Sequence, residues 1–123
     1  MKDTSNELVV VFTVDPKKDI EKAFMGLTIA TAALATEMKV KIFFALDGIY
    51  AVTKGYLEGL GEEGFVPLQE LFDIYREEGG EVIVCHPFMA KRKITEDDFI
   101  DGVVLSAAPS LVCEAANAQM ITI

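Results

Sequence analysis

The chain has 123 residues, which suits a single domain over residues 1–123 and leaves no room for a second. Hydrophobic residues make up 51%, which excludes a disordered chain; that is slightly rich for a domain this small, a pointer to an apolar subunit contact. Acidic residues outnumber basic ones 20 to 11, and the net charge of −9 argues against direct binding to nucleic acid or to an anionic membrane.

Residues 1–6 are polar and carry no signal-peptide pattern, and the apolar stretch 23–35 is cut by Gly26, Thr28 and Thr31. It is too short to span a bilayer. A cytoplasmic location is expected, with Cys85 and Cys113 as reduced thiols. Residues 8–14 form an unbroken β-branched run, the pattern of a strand covered on both faces. Asp15 and Pro16 break it, and helical spacing follows over 19–37. One apolar stripe of that helix holds Ile20, Ala23, Phe24, Leu27, Leu34 and Met38. A second holds Met25, Ile29, Ala32, Ala33 and Thr36, and a neighbouring subunit would cover it.

Residues 39–46 read as the next strand, closed by Asp47 and Gly48. The segment 49–67, with Gly55, Gly59, Gly61 and Gly64, reads as a long loop containing a short helix at 51–56. Pro67 opens a helix that buries Leu68, Leu71, Phe72 and Tyr75 and stops at Gly79 and Gly80. Residues 81–85 are the third strand, halted by His86 and Pro87. Thr95 with Asp98 caps one further helical turn. Residues 102–105 form a fourth strand, Pro109 starts a helix, and 120–123 form the last strand. This alternation predicts an α/β fold: a three-layer α/β/α single domain with a mainly parallel, five-stranded sheet.

Ligands of open α/β sheets gather beyond the carboxyl ends of the strands, which singles out Asp15, Asp47 with Gly48, and Cys85 with His86 and Pro87. A strand-end thiol meets solvent, and backbone N–H groups of a following helix would lower its pKa. Lys91, Arg92 and Lys93 form the one dense basic cluster and, folded over Cys85, would stabilise a thiolate or an anionic sulfur donor. The plainer reading stays open, since buried cysteines commonly only pack. Cys113, beside Val112 in an alanine-rich segment, is read as core. Neighbouring residues on a strand face opposite ways, so His86 is read as a pocket or surface residue rather than as a base for Cys85. The spacing of two cysteines around one histidine predicts no metal site, and neither a nucleotide loop nor a Cys-x-x-Cys pair occurs.

The strand 8–14, the alanine-rich helix 23–35, the strand 42–46 leading into Asp47 and Gly48, the run from Val82 to Cys85 with His86 and Pro87, and the segment 94–104 around Asp98, Phe99, Ile100, Asp101 and Gly102 together resemble the DsrE/DsrF-like family. The resemblance covers nearly the whole chain. It implies the same α/β fold, no cofactor, and association as trimers or hexamers, with dimers among relatives. In sulfur-relay members a cysteine in the place of Cys85 accepts sulfane sulfur as a persulfide and passes it to a partner protein. The chain is therefore expected to be a sulfur carrier or sulfurtransferase component with Cys85 as the reactive group. Asp47, Gly48, His86, Pro87, Lys91 and Arg92 are the candidate binding residues, and a sulfur donor and an acceptor protein the candidate partners. The alternatives are a small-molecule-binding module, with residues 49–65 over a pocket beside Asp47, and an oligomeric assembly subunit.

Overall fold

Runs of Val, Ile and Phe crowd the backbone toward extended conformations, and five such runs become strands. In the computed structural model, which describes residues 6–123, they are β1 (Glu7–Phe12), β2 (Lys39–Phe44), β3 (Glu81–Cys85), β4 (Val104–Ser106) and β5 (Gln119–Thr122). Residues 1–5 of the polar opening lie outside the described residues. Three helices connect the strands: α1 (Ile20–Ala35), α2 (Leu68–Glu77) and α3 (Ala108–Ala115). The sheet order is β4-β3-β2-β1-β5 and all four pairings are parallel.

Helix ends follow local chemistry. Asp19 caps α1 by accepting a hydrogen bond from the Lys22 backbone N–H at 3.1 Å. The other end closes with Glu37 at φ 68, while the N–H groups of Glu37 and Met38 donate back to Leu34 and Ala33. A glutamate holds this left-handed position where glycine is usual, so α1 stops with no glycine to mark it. In α2, Gly79 at φ 97 does the same work conventionally.

The parallel register sorts side chains onto two faces. Val10, Ile42 and Val82, then Phe12, Phe44 and Val84, face α1 and α2 in the larger core. Val9, Phe43, Ala45, Ile83 and Cys85 face the other way, with Phe88, Leu111 and Ala118 packed against them. That second face is thinly covered. Five strands span roughly 19 Å, whereas α3 is a single eight-residue helix. Val104 and Met120, register partners of Ile83 and Val9, stay exposed at the two edges.

Two expectations about the first half of the chain change. In the segment 49–67 the short helix comes earlier than 51–56, as a 3-10 helix over Leu46–Val52, and Ile49, Ala51, Val52 and Leu57 are buried in the larger core, while 58–67 is loop, exposed apart from the half-buried Leu60 and Phe65. The second stripe of α1 loses Ala33, which is core. Met25 and Ala32 remain exposed on it, with Ile29 half-buried.

Candidate functional site

Side-chain alternation along β3 sends Val82 and Val84 to the larger core and Ile83 and Cys85 to the α3 face. Leaving β3, the chain turns onto the α1–α2 side, where Met89, Ile94 and Phe99 join that core. Leaving β4, it turns onto the opposite side and becomes α3. Adjacent strands whose carboxyl ends feed opposite faces leave a crevice between them, the place where such sheets bind ligands. Cys85 and Ser106 are register partners at that point.

The thiol itself is not as expected. Cys85 is only 6% exposed, and burial pushes its pKa up from the ordinary thiol value. The short 3-10 turn His86–Phe88 follows it, but Cys85 makes no side-chain capping bond there. Nor does the basic cluster fold over it. Arg92 turns toward the end of β2, where its Nε and Nη2 donate to Asp47 Oδ1 at 3.0 and 2.8 Å and its Nη1 donates to the Phe88 carbonyl. Lys91 and Lys93 are exposed. Burial therefore goes unopposed, and the thiol is protected rather than activated.

The other sequence candidates separate. Asp47 and Arg92 form an ion pair that ties the turn after β2 to the turn after β3. Gly48 is buried, and a Cβ on it would lie 2.1 Å from the Phe12 carbonyl oxygen, so its role is close backbone approach. His86 and Pro87 are exposed and line an open depression with Met89, Lys93 and Ile94, which Cys85 does not line. Cys113, read from the sequence as core, is exposed because the outer side of α3 carries it alongside Val112.

One constellation went unread in the sequence. Asp15, 9% exposed at the end of β1, accepts hydrogen bonds on Oδ1 from the Tyr56 hydroxyl (2.7 Å) and the Lys17 N–H (2.9 Å). Lys17 Nζ lies 4.2 Å from the Tyr56 ring centroid, and Tyr50 stacks on the same ring. Burial, together with the hydrogen bond to Asp15, raises the Tyr56 pKa. This cluster ties the turn after β1 to the segment after the 3-10 helix. Tyr56 stands 41 residues from Asp15, beyond the reach of any local pattern. Among the described residues no three His, Cys, Asp or Glu side chains are grouped to hold a metal, and no helix is long and apolar enough to cross a membrane.

The raised Cys85 pKa has a direct kinetic consequence. Alkylation of Cys85 is expected to keep accelerating as pH rises above the ordinary thiol value of ~8.5, where an unstructured cysteine levels off. The folded thiol also holds its proton longer than the unfolded one, so its contribution to stability is complete below that value and is lost as pH rises through the raised one. Site-resolved mass spectrometry between about pH 7 and about pH 10 would check the rates. Cys85 levelling off together with an unstructured cysteine peptide would contradict the assignment.

Comparison with known proteins bears on this arrangement. The sequence profile of the DsrE/DsrF-like family matches residues 7–122. The uncharacterized protein MK0008 of Methanopyrus kandleri is 35% identical over 97 residues, covering 75% of this chain and 73% of that one. The uncharacterized protein MJ0760 of Methanocaldococcus jannaschii is 26% identical over 107 residues, and this chain spans only 38% of its length. Among solved structures, the YchN protein of E. coli superposes with a TM-score of 0.81 at 23% identity, over 95% of this chain and 98% of that one. MTH1491 of Methanobacterium thermoautotrophicum gives a TM-score of 0.69 at 11% identity, with the same coverage. At such identities these structures speak for the fold alone.

Proposed function

The chain belongs to the DsrE/DsrF-like family, and from that premise we propose that it is a sulfur carrier, holding sulfane sulfur as a persulfide on Cys85. The observation that carries this reading is the position of Cys85 at the carboxyl end of β3, beside Ser106, where the outgoing chain changes faces. In the proposed cycle the Cys85 thiolate attacks the outer sulfur of a donor persulfide. A new S–S bond forms on Cys85, the donor S–S bond breaks, and the donor leaves as a thiolate. An acceptor thiolate then attacks the outer sulfur and frees Cys85, with no external oxidant or reductant needed. The donor and the acceptor are thiol proteins in this reading. The protein also works as a homo-oligomer, a state favoured by the apolar strip of Met25, Ile29 and Ala32 on α1. Light scattering that reports a monomer at micromolar concentration would remove that part.

Intact-protein mass spectrometry after incubation with a persulfide donor tests the carrier. Added sulfur should appear on the native chain and on Cys113→Ser, and be lost in Cys85→Ser with the fold retained. Cys85→Ser loading as the native chain does would defeat the proposal. A second reading, an assembly subunit in which Cys85 only packs, is favoured by its 6% exposure and raised pKa. Sulfur absent from every form, with a robust oligomer, would decide for it.

A further inference from the structure

A carrier thiol must be reached by two partners in turn, yet Cys85 lies under cover, and the elements around it differ greatly in how firmly they are held. On the α1–α2 side, side chains such as Phe12, Phe44, Leu68, Phe72 and Tyr75 are almost wholly enclosed. On the Cys85 side, among the described residues, the cover is α3, none of whose eight residues is buried, with Phe88 from the 3-10 turn and Ala118 beside it. Its first turn has no side-chain cap, since Ala107 occupies the capping position. Its outer surface presents Val112 at 68% exposure together with Cys113. Leu111 is the α3 side chain that packs into the cluster containing Cys85. One ion pair fastens the helix to the sheet, between Lys41 in the middle of β2 and Glu114. The hydrogen bond to Glu114, more than any other influence, raises the Lys41 pKa.

We infer that α3 is a hinged cover over Cys85, fastened by the Lys41–Glu114 ion pair, and that the thiol becomes reachable when this helix lifts while the rest of the fold stays intact. The helix pivots at its two ends, on the stretch around Ala107 that follows β4 and on the turn at Ala116 and Asn117 that precedes β5. Few buried apolar contacts and an uncapped first turn place α3 at the low end of the domain's local stabilities. This inference rests on the carrier reading for its biological purpose and deepens it by naming what regulates access. The motion itself can be measured without any sulfur chemistry.

The test uses the full chain carrying Cys113→Ser, so that Cys85 is the sole thiol, and reads its alkylation rate at neutral pH by mass spectrometry. Glu114→Gln and Lys41→Met should each accelerate modification about two- to fivefold, the range a partly exposed ion pair is worth. Exchanging the charges, with Lys41→Glu and Glu114→Lys together, should return the rate toward its starting value. Gly79→Ala provides the contrast. It strains the α2 terminus at φ 97, on the face of the sheet opposite α3, and lowers global stability without touching the cover. Cys85 should react in that variant at the parent rate. Unchanged rates in both ion-pair variants, or acceleration in Gly79→Ala matching its loss of global stability, would overturn the cover. A lifting helix in a protein that loads no sulfur would leave this inference standing and remove the carrier reading. Sulfur loading with no dependence on the ion pair would do the reverse.

Discussion

Gly48→Ala should destabilise the protein by roughly 3 kcal/mol, a large share of the stability of a domain this size. The added methyl would lie 2.1 Å from the Phe12 carbonyl oxygen and 2.8 Å from its carbon. Neither can retreat. Phe12 O already accepts the Ala45 N–H at 2.9 Å, and β1 is held by β2 on one side and β5 on the other. Gly48 is not required for an unusual backbone angle, since its φ is not among the positive ones. It is required for space. Urea denaturation would show the effect as a lower midpoint with an unchanged slope. A loss below about 0.5 kcal/mol would mean that the 3-10 turn shifts freely and that Gly48 has another role.

Phe44→Ala should cost about 3–5 kcal/mol. Phe44 sits in a run of rings through the larger core, with centroids 5.1 Å from Phe12 and 6.0 Å from Phe72, and Phe72 stacked in turn on Tyr75. Its side chain is wholly enclosed by β1, β2 and α2 neighbours, so truncation leaves a cavity that the sheet cannot collapse. Tyr75 limits relaxation from the far end, because its hydroxyl donates to the Glu81 carbonyl at 2.6 Å and its ring fills the space beside Gly80. Thermal and urea unfolding would both register the change. A native-like midpoint would show that the core repacks around the gap.

Where a local pattern suffices, the sequence already spells out the fold. The uninterrupted apolar runs give β1, β2 and β3 within a residue or two, and Thr95 with Asp98 gives a capping box that is present as expected. The illegible parts depend on partners far along the chain. Arg92 reaches Asp47 across 45 positions, so a basic triplet that looked poised over Cys85 is drawn elsewhere. The fate of Cys113 turns on which side of α3 meets the sheet. Leu111, Val112, Cys113, Ala115 and Ala116 are apolar nearly all round that helix, so periodicity cannot choose. Cys85 illustrates both cases: its strand and its place at the strand's end follow from the sequence. Its burial follows from a helix that begins more than twenty residues later and docks on the opposite face.

The sheet order has a consequence for how the chain assembles. From β1 to β4 each new strand pairs with the one before it, so the first four can zip up as they emerge during synthesis. β5 breaks the sequence by travelling back across the sheet to the outer edge of β1, where Met120 pairs with Val9. Until it arrives, the backbone of β1 from Leu8 to Val11 is an open edge that can recruit a strand from another chain. The pairing also spans almost the full contour length, the kind of contact that forms late and slows folding. The hazard in the life of this protein therefore falls between the fourth strand and the fifth, when an unfinished molecule can be stitched to its neighbour.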